Sequence, residues 1–341
     1  MEILENGRVW QDADGNPIHA HGGHILHSGD WYYWYGEDRG GRQYVNCYRS
    51  RDLLHWEFRR HILTVDSPTA PAIPGADLTL SRNPSVDYGE RCELCIHGDD
   101  PWRKVNIERP KVLYNARTGK YVLWAHFENG VNYTCARAAV ATCDTPDGDF
   151  VYHGSFRPLG HMSRDCTVFQ EADGTAYFIS TANDNRDTHV YRLTDDYLQP
   201  TELTACLFPG ATREAPVLLR HGGRYYMLNS GCSGWEPNQC CYAVADTVAG
   251  PWSALRPCAD DTTYHTQPAF ALPLGGEDDT VLYMGDRWSG GEYFSSSYVL
   301  LPLTFTGADG LDFSYYDRFT VDTNRGVYIP VKEEQPEWMH K

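Results

Sequence analysis

The sequence predicts an all-β chain folded as a five-bladed β-propeller. Three observations carry this expectation. Segments with helical periodicity are nearly absent. In their place, a short aromatic or β-branched strand, a turn containing Gly or Asp, and a second such strand recur five times. The recurrence interval is about 50 residues, a spacing expected of propellers and solenoids.

The hairpins fall at residues 24–36, 111–126, 167–181, 216–231 and 268–288. Their turns include Ser28-Gly29-Asp30, Ala172-Asp173-Gly174 and His221-Gly222-Gly223. Each turn feeds an aromatic strand, such as Trp31-Tyr-Tyr-Trp-Tyr35 or Tyr225-Tyr-Met-Leu228. Most are followed by outer strands, at 45–48, 138–142, 189–193 and 241–245. Four strands per unit in five units are satisfied economically by propeller blades. Residues 81–106 read as an insertion between blades, and the strands at 313–316 and 319–321 as completing the last one. Residues 1–330 then form a single domain, and 331–341 a polar tail.

Composition narrows the partners. Lys and Arg number 29 against 46 Asp and Glu, a formal charge of −17. Nucleic acid and anionic membrane both require a basic footprint, so neither is an expected partner. A neutral oligosaccharide is compatible. The 23 Tyr and 10 Trp outnumber the 12 Phe, which suits sugar-stacking clefts as well as cores. No apolar run approaches the ~20 residues of a membrane span. The N-terminal residues show no basic, apolar leader pattern, and the 11 cysteines are odd in number and scattered. The expected compartment is the reducing cytoplasm, unless a leader has been removed. Cys92, Cys95 and His97 offer half a zinc site without a second pair of matching spacing. Oligomeric state is not legible in the chain.

The chemistry lies at the starts of the inner strands. Registered on a central apolar residue, the repeats place Glu214 ahead of Val217, Asp165 ahead of Val168 and Gln267 ahead of Phe270. Arg109 stands ahead of Val112, with Glu108 one step earlier, and the first repeat places Gly22 there, with His21 before it. Inner strands of a propeller line a common channel, so these positions converge although they are about 50 residues apart in sequence. Paired carboxylates around a concave site suit glycosidic bond cleavage. One stays protonated to donate to the leaving oxygen while another group activates water. A second carboxylate beside the acid raises its pKa, and Asp165 is placed to do this for Glu214.

At these residues the chain resembles glycoside hydrolase family 43. The tracts are Asn16-Pro-Ile-His-Ala-His-Gly-Gly-His-Ile-Leu26, Trp31-Tyr-Tyr-Trp-Tyr-Gly-Glu37, Glu108-Arg-Pro-Lys-Val112, Ser163-Arg-Asp165, Arg213-Glu-Ala-Pro216 and Ser230-Gly-Cys-Ser-Gly-Trp-Glu-Pro-Asn238. They span nearly the whole chain and resemble the exo-β-1,3-galactanase branch, subfamily 24. The resemblance implies an inverting hydrolase that releases terminal galactose, with Glu214 as general acid and Asp165 as its pKa modulator. The family's usual base, an Asp in the first blade, is replaced here by His21-Gly22-Gly23. In this branch a Gln or Glu of the fifth blade is assigned the task, which points to Gln267. Glu108 is the rival base, although the resemblance gives it mainly substrate contacts.

Further candidates for sugar contacts are Glu37, Arg109, His126, Asn183, Ser233 and Asp286, with Tyr133 in the long loop of the second blade. Trp235 and Trp288 are candidate stacking platforms, read equally well as core residues. No motif calls for a cofactor. The resemblance adds one ion, a structural calcium, because some members place a His near a central calcium where this chain has His265. Alternative readings are an α-L-arabinofuranosidase or galactofuranosidase on the same scaffold, or a sugar-binding propeller without catalysis.

Overall fold

The computed structural model of the chain describes residues 2–81, 104–276 and 278–331. Cys92, Cys95 and His97, most of the expected insertion and nearly all of the C-terminal tail lie outside these residues. The described chain is all β apart from two single-turn 3-10 helices.

After β1 (Leu4–Glu5), five four-stranded antiparallel sheets follow one another along the chain. The first comprises β2 (His21–Ser28), β3 (Trp31–Glu37), β4 (Gln43–Ser50) and β5 (Glu57–Thr64). The second comprises β6 (Asn106–Asn115), β7 (Lys120–Glu128), β8 (Arg137–Cys143) and β9 (Val151–Phe156). The third holds β10 (Cys166–Gln170), β11 (Ala176–Ala182), β12 (Asp187–Leu193) and β13 (Pro200–Leu207). The fourth holds β14 (Arg213–His221), β15 (Arg224–Gly231), β16 (Cys241–Ala245) and β17 (Arg256–Pro257). The fifth holds β18 (Gln267–Gly275), β19 (Thr280–Arg287), β20 (Ser297–Thr306) and β21 (Gly310–Phe313).

A sixth sheet, with strand order β1, β22 (Arg318–Asp322), β23 (Val327–Pro330), is built from both ends of the chain. The propeller is therefore six-bladed, which corrects the expectation of five blades. The residues that overturn it were expected to finish the last repeat. Strand β21 already pairs with β20 and fills that blade, so the next strand has no free edge there. Strand β22 pairs instead with β1, Leu4 facing Phe319, and with β23. Asn6 locks this closure: its side-chain amide donates to the carbonyls of Leu300 (3.1 Å) and Tyr316 (2.8 Å) and accepts from Leu300 N–H at 2.8 Å.

Sequence explains the hairpins. In the fourth blade Gly222 and Gly223 form a two-residue turn with φ of +56° and +81°, a mirror-type turn that only Gly adopts cheaply. The aromatic strands it and its counterparts feed are buried on both faces, because each blade packs on a neighbour at either side. Trp34, Tyr35, Trp124 and Phe178 are fully buried in this way. Each side chain of that size contributes on the order of 3 kcal/mol on burial. One cluster joins the first and fifth blades to the sixth, through Trp10, Trp34, Leu272, Phe319 and Tyr328.

The innermost strands touch in the order β2, β6, β10, β14, β18 and back to β2. Their N-terminal ends meet around one cavity.

Candidate active site

A recurrent β-bulge aims the side chains at this cavity. Strand register slips between His21 and His24, between Glu108 and Lys111, and between Glu214 and Val217. The residue after the first of each pair is left-handed: Gly22 at φ +56°, Arg109 at +50° and Ala215 at +53°. A bulge with such a residue bends the strand and re-aims the preceding side chain. By this register Glu108, not Arg109, is the counterpart of Glu214, and His21 completes the set. A count back from the central apolar residue misses this, because the step equivalent to Val217 is held in the second blade by Lys111, and counting from Val112 starts one residue too late.

The cavity encloses about 520 Å3 and takes lining residues from each of the five four-stranded blades. Glu214 sits on one wall. Its Oε1 accepts from Gln267 Nε2 at 2.9 Å and its Oε2 from Asn185 Nδ2 at 3.3 Å. Burial, then the nearby Asp165 charge, push its carboxyl up to about 7, against the pull of Arg109. It is therefore half-protonated near neutral pH, as a proton donor at a leaving oxygen must be.

Arg109 is the hub beside it. Its Nε pairs with Asp165 Oδ2 at 2.7 Å, its Nη1 donates to Pro268 O at 2.9 Å, and its Nη2 donates to Gln267 Oε1. Asp165 Oδ2 also accepts the Ala215 N–H at 3.1 Å, directly after Glu214. The Gln267 amide is saturated: Oε1 also accepts from Trp288 Nε1 at 2.9 Å, and Nε2 also donates to Ser230 Oγ at 3.1 Å. Two lone pairs and two N–H groups are all in use.

Removing the Asp165 charge tests its influence on the acid. In Asp165→Asn the Coulombic push on Glu214 is lost and Arg109 is freed to pull harder, so the Glu214 pKa falls. Activity that needs the protonated acid then disappears at lower pH: the alkaline limb of kcat/KM against pH moves from about 7 toward acid. Burial is the larger cause, so the limb stays above the ordinary carboxylate range. An unmoved limb would leave Asp165 a purely structural partner of Arg109.

On the other side of Asp165 lies a charge network, with His126 Nδ1 4.0 Å from Asp165 Oδ1. Glu108 Oε1 accepts from Arg39 Nη2 at 2.7 Å and from Asn106 Nδ2 at 3.3 Å, and its Oε2 lies 3.1 Å from His126 Nδ1. Burial opposes ionisation of Glu108, but Arg39 and His126 more than offset it and hold the carboxyl down at about 2. His126 is held on its other side by Glu128, with Nε2 to Oε1 at 3.0 Å. Burial disfavours its charge, yet the two carboxylates push its pKa up to about 10. Glu37 accepts from Tyr293 Oη at 3.0 Å and from the Arg109 N–H at 3.3 Å. Burial raises its pKa, and Arg39 offsets this only in part.

The first-blade position of the missing Asp is closed by packing. His21 is fully buried, with Nδ1 3.2 Å from Asp286 Oδ1, and Gly22 N–H donates to Asp286 Oδ2 at 2.9 Å. A Cβ on Gly22 would stand 3.0 Å from Arg109 Cγ and 3.2 Å from its Cα. Arg109 cannot retreat without breaking its other contacts. Gly22→Ala combines left-handed strain with this clash and should cost about 1–3 kcal/mol, read as a lowered denaturant midpoint at unchanged m-value. A variant as stable as the parent would show that the Arg109 hub is soft.

Three comparisons bear on this geometry. The sequence profile of glycosyl hydrolases family 43 matches residues 112–267. The exo-β-1,3-galactanase from Clostridium thermocellum is 43% identical, with a TM-score of 0.84, over 97% of this chain and 69% of that one. The chain belongs to family 43. An exo-β-1,3-galactanase from Phanerochaete chrysosporium, solved as a Glu-to-Gln variant with β-1,3-galactotriose, is 34% identical at a TM-score of 0.82, over 97% of this chain and 71% of that one. A β-1,3-galactosidase of family 43 bound to galactodeoxynojirimycin is 32% identical at a TM-score of 0.79, over 93% of this chain and all of the other. No curated protein matches. The resemblance to family 43 and its galactanase branch is thus borne out, and with it an inverting glycoside hydrolase.

The cavity gathers Glu37, Glu108, Arg109, His126, Tyr133, Asp165, Glu214, Trp235, Gln267 and Trp288 from among the candidates named from sequence. Trp235 and Trp288 meet edge to face at 5.6 Å, and Trp235 is exposed. Three candidates do not line it. Asn183 binds Asp187 instead, Ser233 Oγ donates to Glu236 O at 2.6 Å within its own loop, and Asp286 is consumed by His21 and Gly22. Sequence reading missed Arg39, Arg164, Asn185 and Tyr293, which line the cavity, the first three from segments flanking strands and Tyr293 from a 3-10 helix. Only Arg39 carried a signal, an Arg two residues beyond a strand-terminal Glu.

The family-implied calcium does not suit the residues at His265. Its side chain is exposed, and it belongs to none of the His, Cys, Asp and Glu groups close enough to share an ion among the described residues. Calcium needs six to eight oxygen ligands. The channel beneath the site already holds a cation, since buried Lys111 donates to Gly22 O at 2.6 Å.

Proposed function

We propose that this protein is an exo-acting, inverting hydrolase that releases terminal galactose from β-1,3-galactan-type oligosaccharides. The observation that carries it is a half-protonated Glu214, braced by Gln267 and Asn185, in a cavity about the size of a short oligosaccharide. Relatives solved with β-1,3-galactotriose and galactodeoxynojirimycin support galactose as the sugar.

Glu214 donates its proton to the glycosidic oxygen as the bond breaks. Asp165, through its charge and its grip on Arg109, keeps that proton on Glu214 up to neutral pH. Glu108 remains ionised at all working pH and accepts sugar hydroxyls, together with Glu37. Its low pKa makes it a feeble base, since proton abstraction follows basicity. Gln267 is left as the group nearest the acid on the water side. When the sugar oxygen takes up the Glu214 proton, the carboxylate left behind holds the Gln267 N–H more tightly, so Gln267 positions the attacking water by exchanging its second N–H from Ser230 Oγ to that water. Trp235 stacks on a sugar ring at the entrance, backed by Trp288.

Time-resolved proton NMR of β-1,3-galactobiose hydrolysis should show α-galactose as the first product, because inversion at a β-linkage yields the α-anomer. β-Galactose first would overturn the mechanism. A panel of aryl β-galactosides, α-L-arabinofuranosides and galactofuranosides fixes the sugar. Preference for either furanoside would overturn the galactose assignment.

A further inference from the structure

On the third blade, away from the cavity, three groups of different chemistry converge. We propose that Asp187, His189 and Cys206 form a site for a zinc-class divalent cation. A carboxylate oxygen of Asp187, a ring nitrogen of His189 and the Cys206 sulfur all lie within 4.8 Å of one another. The convergence follows from strand register. Asp187 and His189 are two residues apart on β12 and so share one face, and Cys206 on β13 sits directly opposite His189. A tetrahedral ion with its sulfur ligand at about 2.3 Å and nitrogen or oxygen at about 2.0 Å holds its ligands about 3.5 Å apart. Side-chain torsions close that difference.

The surroundings favour a metal over a chance cluster. The His189 side chain is buried, and its Nδ1 lies 2.8 Å from Tyr191 Oη, which orients the ring and leaves Nε2 as the ligand atom. Such an outer partner is the usual companion of a metal-bound imidazole. Asp187 is held likewise, by Asn183 Nδ2 and by the Gly210 N–H at 3.3 Å. The remaining coordination position falls to water, and the His161 ring stands edge-on to His189 at 4.8 Å. Cys206 is exposed, so an ion has a path in. A thiolate, an imidazole and one carboxylate select a borderline-soft ion such as zinc over calcium or magnesium.

The site also abuts the active centre through the turn between β11 and β12. Asn183, Asp184 and Asn185 are all left-handed there, at φ of +52°, +57° and +62°. Runs of such non-Gly residues are strained. Asn183 grips Asp187, and Asn185 reaches Glu214. An ion on Asp187 would hold one end of this turn and so help fix Asn185 against the acid.

The experiment is a cobalt(II) titration of chelator-stripped full-length protein, followed by optical spectroscopy. The expected result is a thiolate-to-cobalt charge-transfer band with tetrahedral d–d bands, saturating at about one equivalent and displaced by zinc but not by calcium or magnesium. Cys206→Ser and His189→Gln should each abolish the band, while replacing Cys92 and Cys95 with Ser should leave it intact. Cys206 is exposed, so its variant should fold, which circular dichroism verifies. Zinc should raise the Tm of the parent but not of Cys206→Ser. A spectrum without the band, or a band undiminished in both variants, overturns the proposal, whatever the glycosidase activity turns out to be.

Discussion

Glu214→Gln should lower turnover on β-1,3-galactobiose by at least about 100-fold, the usual scale of losing a general acid. The amide keeps the shape of the side chain and its oxygen can still accept from Gln267, while its NH2 gives up the longer bond from Asn185, so binding should change little. It cannot supply a proton. An aryl galactoside with a good leaving group needs less protonation and should lose correspondingly less. The parent enzyme carries the matching pH signature. Its acid has a pKa near 7, so kcat/KM should fall as pH rises through about 7, and the variant should lose that limb. Equal activity of variant and parent on the disaccharide would remove Glu214 from the role.

Gln267→Ala should cost turnover on the order of 100-fold with little change in substrate affinity. The amide joins the acid to Arg109, Trp288 and Ser230, so its removal loosens Glu214 and leaves the water without a fixed partner. Gln267→Glu should behave differently. A carboxylate beside Glu214 raises the acid's pKa further and shifts the alkaline limb upward, while retaining measurable activity because it can itself take a proton. Glu108→Gln should instead raise KM more than it lowers kcat, since Arg39 and His126 lose the charge that anchors them. If Gln267→Ala turns over normally and Glu108→Gln is dead but rescued by azide, the two roles are exchanged.

Much of this site was legible because a polar residue heading an otherwise apolar strand is conspicuous. Glu214, Asp165 and Gln267 stand out in this way, and a repeat interval near 50 residues is enough to bring them to one axis. The failures have physical causes too. Asn183 and Asn185 are indistinguishable in a turn until its backbone angles are known. Three consecutive left-handed residues then direct Asn185 to Glu214 and Asn183 to Asp187. Asp286 looks like any strand-end carboxylate, and its loss to His21 depends on a residue 265 positions away. Arg39 acquires meaning only beside Glu37 and Glu108, from two different blades.

The sequence by itself determined the all-β class, the five hairpins and the family, and singled out Glu214 as the candidate acid. These rest on local propensity, on turn chemistry and on residue types at repeating positions, all of which are written along one dimension. Tertiary structure alone decided the sixth blade, the bulge register and the protonation states. Strands β1 and β22 pair because both were left with open edges, and an edge is known only once its neighbours are placed. The same holds for charge. Glu108 and Glu214 are chemically identical residues at equivalent steps of their strands, yet one is held at about 2 and the other at about 7. Arg39 and His126 surround the first, and burial with Asp165 acts on the second, so only the assembled blades make one a permanent anion and the other an acid.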